Sequence, residues 1–236
     1  MMDTLQCHGL ENRILMNSSQ QDPIDVVVVG ASGFGRECLD VLDAMALHGH
    51  HVEVVGVIDD APSEENLSRL NARNVRYLGK VEHWIRNAPR EVQFVIGIGN
   101  PSVRARLAQI FESFGHIPFT AIHPSAVLGK NTEPMAGTVI CANATVSTNV
   151  QFGRYVHVNP SATIGHDSIL HDFVSINPAA VISGDVEVGA RTLVGASATI
   201  LQGLKVGENS LVGACACVTK DFEDSVVVKG IPARSS

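Results

Sequence analysis

Residues 156–188 read VHVNPSATIGHDSILHDFVSINPAAVISGDVEV, and every sixth residue from Val158 to Val188 is aliphatic. The register continues unbroken from Val146 to Val218, with Phe152 its one aromatic member. Leu128 and Ile140 share it, and Pro134 interrupts it. Two residues before each of these positions stands a second apolar or small residue, as at Ala144, Val156, Ala162, Val174 and Ala180. Glycine often follows the large residue, as at Gly153, Gly165 and Gly189. Neither the 3.6-residue helical period nor the two-residue strand period produces a repeat of six. A parallel β-helix does: each hexad is a short strand and a turn, and three hexads close one triangular coil. Residues 18 apart then stack, and Leu128 to Val218 leaves room for about five coils.

Residues 25–123 have a different rhythm. DVVVVG reads as a buried strand, followed by a Gly-rich turn and the helical pattern FGRECLDVLDAMALHG. Then come VEVVGVIDD (strand), VEHWIRNA (short helix), QFVIGIGN (strand), PSVRARLAQIFESFG (helix) and FTAIH (strand). Pro101 and Gly115 bracket the last helix with the usual terminal asymmetry. Strands alternating with helices predict a small parallel sheet with covering helices.

Aliphatic-rich composition, with 17% charged and 5% aromatic residues, suits ordered strands and argues against disorder. A formal charge of −7 and no Lys/Arg-rich run leave no electrostatic footprint for nucleic acid. No apolar run is long enough to span a membrane, and the first residues lack a signal-peptide core, so a cytoplasmic protein is expected. The five cysteines are irregularly spaced and read as reduced thiols, with no chemistry assigned to Cys215 or Cys217.

The stretches VVVVGASGFGREC, VIDD, IGIGN, IHPSAVLG, NPSATIGHDS, the hexads and VVVKGIPAR together resemble the hexapeptide-repeat acyltransferases. The similarity is to the branch containing nucleotide-sugar N-acetyltransferases and sialic acid O-acetyltransferases, and it spans residues 26–234. It implies an α/β N-terminal Rossmann-like domain followed by a left-handed parallel β-helix. The expected division is a polar arm (1–24), a nucleotide-sugar-binding domain (25–120) and a β-helix domain (121–236). It also implies a homotrimer with active sites at subunit interfaces, acetyl-CoA as cosubstrate and no metal.

The Gly-rich turn GASGFG follows a strand and opens a helix, a context for phosphate binding, although its spacing is not that of a dinucleotide fingerprint. Gly30, Ser32, Gly33 and Gly35 are candidates there. Asp59, Asp60, Gly99 and Asn100 end neighbouring strands on the same carboxyl edge, where ligands of parallel sheets bind. A tight structural turn is the plainer reading of the same glycines.

His166 matches the family's general base, and Asp167 the acidic residue beside it; an imidazole is the group suited to take a proton near neutral pH. Asn159 matches a polar residue leading to that histidine and is assigned to the nucleotide-sugar. Gly184, Ala196 and Ala214 match small positions along the acetyl-CoA arm. Ser175 stands where relatives often have a second histidine near the thioester, and His157, one coil below it, is a spatial substitute. His123 is expected to be structural and His171 a solvated turn residue.

The predicted function is acetyl transfer to the amine of a nucleotide-linked amino sugar. O-acetylation of a sugar hydroxyl is the nearest alternative. GHDSILH also resembles gamma-class carbonic anhydrases, but their zinc needs three histidines, and 36 residues before His166 stands Lys130. An inactive, nucleotide-sugar-binding solenoid is the reading outside enzymes.

Overall fold

The computed structural model describes residues 22–235, so all but the last residues of the polar arm lie outside the described residues. The chain opens with β1 (Ile24–Val29) and α1 (Gly33–Leu47), then β2 (Val52–Ile58), α2 (Glu64–Ala72) and α3 (Val81–Asn87). β3 (Gln93–Ile96) and α4 (Pro101–Ser113) complete this part. The strands form a parallel sheet in the order β2-β1-β3. Parallel bridges from Val57 to Tyr77 and from Phe94 to Pro118 widen it on both sides.

The predicted helices start and stop where the sequence punctuates them. Asn100 caps α4 by accepting from the backbone N–H groups of Ser102 and Val103, with Pro101 next. Gly115 at φ +83 ends the turn after it. α2 is an addition to the predicted elements. Ser63 caps it and Glu64 and Glu65 lie in its first turn, but Leu70 is its one buried residue, so hydrophobic periodicity gives little signal there.

From Ala121 onward the chain is a β-solenoid of two-residue strands. FTAIH belongs here rather than to the N-terminal sheet, because Ala121–Ile122 pairs with Val139–Ile140. Pairings such as Val139↔His157 and His157↔Ser175 confirm the 18-residue stacking. There are three ladders of six or seven rungs, about one coil more than the hexad count from Leu128 allows. The first face starts at Ala121, the second at Val127 and the third at Glu133. All thirteen aliphatic or Phe positions from Val146 to Val218 point inward and are buried. The glycines after them keep the coils close: a Cβ on Gly165 would lie 2.4 Å from the Gly184 nitrogen.

On the first face the outward residues Ala121, Val139, His157 and Ser175 are no more than 1% exposed, because the α/β domain lies over them. Higher on that face Leu211 and Val227 are 41% and 45% exposed. Among the described residues no helix is long and apolar enough to cross a membrane. The four described cysteines are free, with Cys38 and Cys141 buried.

Candidate active site

His166 stands at the corner between the second and third faces, opposite the face that carries the α/β domain. Its Nδ1 lies 2.7 Å from Asp167 Oδ2, and both side chains are about half exposed. An ionised carboxylate can only accept, so Nδ1 carries the proton and the Nε2 lone pair is left to act. The other Asp167 oxygen accepts from Asn149 Nδ2 at 2.9 Å. Those two bonds, Asn149 first, hold the Asp167 carboxyl below its usual range. Asp167 sits at φ +59, a left-handed turn conformation that aspartate tolerates well. A half-exposed imidazole held through Nδ1, with Nε2 turned to no protein partner among the described residues, has the arrangement a general base requires.

The second group of candidates gathers at the carboxyl edge of the sheet. The Ala31 N–H donates to Asp59 Oδ2 at 2.8 Å, tying the Gly-rich turn to the end of β2. Asp60 accepts from the Val81 N–H at the start of α3, a capping role. Gly35 and Gly97 have steric reasons: a Cβ on Gly35 would meet the Gly30 carbonyl oxygen, and one on Gly97 would lie 2.4 Å from Gly35 Cα. Gly33 and Gly99 do not, since a Cβ there meets nothing within 4 Å. Ser32 precedes α1, is exposed and makes no side-chain capping bond. Gly33, Gly99 and Ser32 are therefore the loop residues left open to a ligand. Asn100 has its oxygen committed to capping α4.

Several other candidates are placed differently from expectation. Ser175 is not at an exposed groove: its hydroxyl accepts from Arg104 Nη2 at 2.9 Å and donates to the Gly99 carbonyl at 3.2 Å, inside the domain junction. The side chain does hydrogen-bond, as a polar residue there should, but the face it stands on is covered. His157 is buried on the same ladder, its ring 4.6 Å from that of Phe34 and neither nitrogen well hydrogen-bonded, so it cannot stand in beside a thioester. Burial, then Arg104, push its pKa well down and keep it neutral. Asn159 is buried and donates to the Ile176 carbonyl and to Asn177 Oδ1. Ala196 and Ala214 stack on the corner between the first and second faces, whereas Gly184 lies one coil beyond His166 on its own corner. His171 donates from Nε2 to the Glu187 carboxylate, which also accepts from Lys205, so it is paired rather than simply solvated. Ser125 donates its N–H to His123 Nδ1, in keeping with a structural His123. Among the described residues no three His, Cys, Asp or Glu side chains converge as a metal site requires.

Sequence reading misses Arg104, a long-range contact with no local signal. Completely buried, it donates to the carbonyls of Ile98 (2.9 Å), Gly99 (3.3 Å) and Tyr155 (3.0 Å), and also to those of Phe173 and Val174. It thus binds the loop after β3 to two successive coils of the solenoid. Glu112 adds a second staple by accepting from Arg154 and the Tyr155 hydroxyl. Asn149 escapes it too, although its spacing of 18 from Asp167 is visible in the sequence.

Residues 25–111 match the PglD N-terminal domain, and residues 185–220 match the hexapeptide repeat of succinyl-transferase. GDP-perosamine N-acetyltransferase of Escherichia coli O157:H7 is 27% identical over 147 residues, covering 61% of this chain and 63% of that protein. UDP-N-acetylbacillosamine N-acetyltransferase of Bacillus subtilis is 31% identical over 121 residues, covering 50% of this chain and 51% of that protein. The chain thus spans less than two thirds of the length of either curated relative. In three dimensions it is similar to a point mutant of perosamine N-acetyltransferase from Caulobacter crescentus in complex with CoA and GDP-perosamine. The TM-score is 0.81 at 25% identity, over 90% of this chain and 96% of that one. The acetyltransferase domain of PglB from Neisseria gonorrhoeae gives a TM-score of 0.78 at 26% identity, over 90% and 100%. An α/β domain set on a hexapeptide solenoid is the architecture the chain shares with these acetyltransferases. Within that architecture, the chain is similar in both of its parts to the PglD-like hexapeptide-repeat sugar N-acetyltransferases.

Proposed function

We propose that this protein transfers the acetyl group of acetyl-CoA to the amine of a nucleotide-linked amino sugar, as a homotrimer with active sites between copies. The observation that carries the reaction is His166, whose Nδ1 is tied to Asp167 while Nε2 is free at an exposed corner. Relatives named as GDP-perosamine and UDP-N-acetylbacillosamine N-acetyltransferases support the substrate class.

In this reading residues 25–120 hold the nucleotide at Gly33, Ser32 and Gly99, and residues 121–236 supply the acyl-transfer corner. Small residues at Ala196 and Ala214, together with exposed backbone, suit a slender pantetheine arm, and acetyl-CoA supplies the thioester. His166 Nε2 accepts a proton as the amine attacks the thioester carbonyl, and returns it to the departing thiol; no acyl-enzyme is needed. A positioned base of this kind is worth about 10²–10⁴ in rate. The nucleotide loop lies over the first face and His166 on the opposite corner, so one chain does not bring them together. A neighbouring copy would.

The test is a screen of GDP- and UDP-linked amino sugars with acetyl-CoA, following thiol release. The expected result is acetylation of at least one acceptor and loss of turnover, by about 10² or more, in His166→Ala with ligand binding retained. Turnover unchanged in that variant would remove His166 as the base.

A further inference from the structure

The two coils on either side of His166 carry features that the proposed chemistry does not use. Asn131, Asn149 and Asp167 occupy equivalent turn positions on three successive coils. Their side chains bond in one line: Asn131 Nδ2 donates to Asn149 Oδ1 at 3.0 Å, and Asn149 Nδ2 donates to Asp167 Oδ1 at 2.9 Å. Asp167 Oδ2 then meets His166 Nδ1 at 2.7 Å. The carboxylate fixes the polarity of the line. It can only accept, so the Asn149 amino group faces it and the Asn149 oxygen faces Asn131.

Left-handed turn positions favour Asn and Asp on their own account, at φ +56, +59 and +59 here. That preference does not explain the line. Tyr155, Phe173, Ala179 and Arg191 hold the same conformation elsewhere in the solenoid, so the backbone does not demand an amide. Nor does the line hold the fold together, since exposed polar contacts contribute little to stability. Its effect is orientational.

On the other side, Gly184 is the residue one coil beyond His166. A Cβ added there would lie 2.4 Å from Nε2, 2.6 Å from Cε1 and 2.9 Å from Cδ2. Gly184 has no positive φ that would require glycine. The imidazole itself occupies the space a side chain would fill.

We infer that Asn149 and Gly184 are positioning residues that set the tautomer and the ring plane of His166 from the two adjacent coils. Asn149 acts through Asp167, holding the carboxylate where it must accept from Nδ1. Gly184 acts by leaving room for the ring to lie against the solenoid wall with Nε2 unhindered. This deepens the proposed function, resting on His166 as the base.

The experiment compares the full-length protein with Asn149→Gly, Asn149→Asp and Gly184→Ala, using acetyl-CoA and the best acceptor from the screen. Glycine and aspartate both accept the left-handed turn, so the Asn149 variants keep the fold, which thermal melting checks. In both, kcat falls on the order of tenfold while KM for either substrate holds. Nitrogen NMR of the His166 ring shows the population leaving the Nδ1–H form. In Gly184→Ala, kcat falls at least as far because the ring is displaced. An unchanged kcat in both Asn149 variants overturns the inference, and so does a slower enzyme whose His166 nitrogen signals match the parent. If no acceptor is turned over, or His166→Ala stays active, the base assignment fails, whereas the ring signals still report whether Asn149 and Gly184 hold the imidazole.

Discussion

Arg104 is a buried cation held by neutral acceptors. Its partners are carbonyl oxygens and the Ser175 hydroxyl, drawn from the loop after β3 and from two coils of the solenoid. Burial pushes its pKa down to about 9, which still leaves the guanidinium charged near neutrality. A planar fork with five N–H groups is the side chain that can satisfy so many carbonyls at once. Arg104→Met would keep much of the volume and orphan those carbonyls. Each buried acceptor without a partner costs about 1–3 kcal/mol. A loss on the order of 3 kcal/mol is therefore expected, read as a fall in Tm of about 6–12 °C. Arg104→Lys should not restore it, because an ammonium cannot reach both the loop and the coils. A melting temperature within error of the parent would show that the junction is held by its apolar contacts alone.

Glycines separate two jobs at the level of the element. Gly165 lies against the next coil, and a Cβ there would come within 2.4 Å of backbone at Ser183 and Gly184. Gly165→Ala must push two coils apart, so the expected outcome is lower thermal stability. Gly33 begins α1 with an ordinary φ, and a Cβ placed on it would meet nothing within 4 Å. Gly33→Ala should leave the melting temperature unchanged or slightly raised, since alanine favours a helix by about 1 kcal/mol over glycine. It should weaken nucleotide-sugar binding in calorimetry; undiminished binding would take Gly33 out of the site. The same contrast explains what is legible in the sequence. The hexads can be read because each coil repeats the inward positions, and the corner bearing His166 follows from that register. Gly35, Asp60 and Asn100 look like ligand contacts in a linear motif, yet packing and helix capping occupy them. Ser175 is misleading in sequence because its neighbours in space, Arg104 and Gly99, lie some 70 residues away in the chain. Periodicity reveals which way a side chain points, not which domain comes to cover it.

At the scale of the molecule, the first face of the solenoid is given over to the α/β domain, and His166 stands on the corner opposite. Arg104 and Glu112 fasten the two parts, so a hinge that carried the proposed nucleotide loop around to His166 would have to break both staples. A site built by neighbouring copies needs no such motion. In the proposed cyclic trimer every copy would give its corner to one neighbour and its loop to another, and three equivalent sites would result. This arrangement predicts complementation. His166→Ala chains keep a sound nucleotide loop, and chains with a bulky Gly33→Trp replacement keep a sound His166. Each variant alone is inactive. When the two are co-expressed in equal amounts and assemble at random, about a quarter of the shared sites combine a sound loop with a sound histidine. Thiol-release activity should therefore recover to about a quarter of the parental level, and it should appear only in the fraction that elutes as trimer. If each chain instead forms its own site, the mixture stays as inactive as its parts.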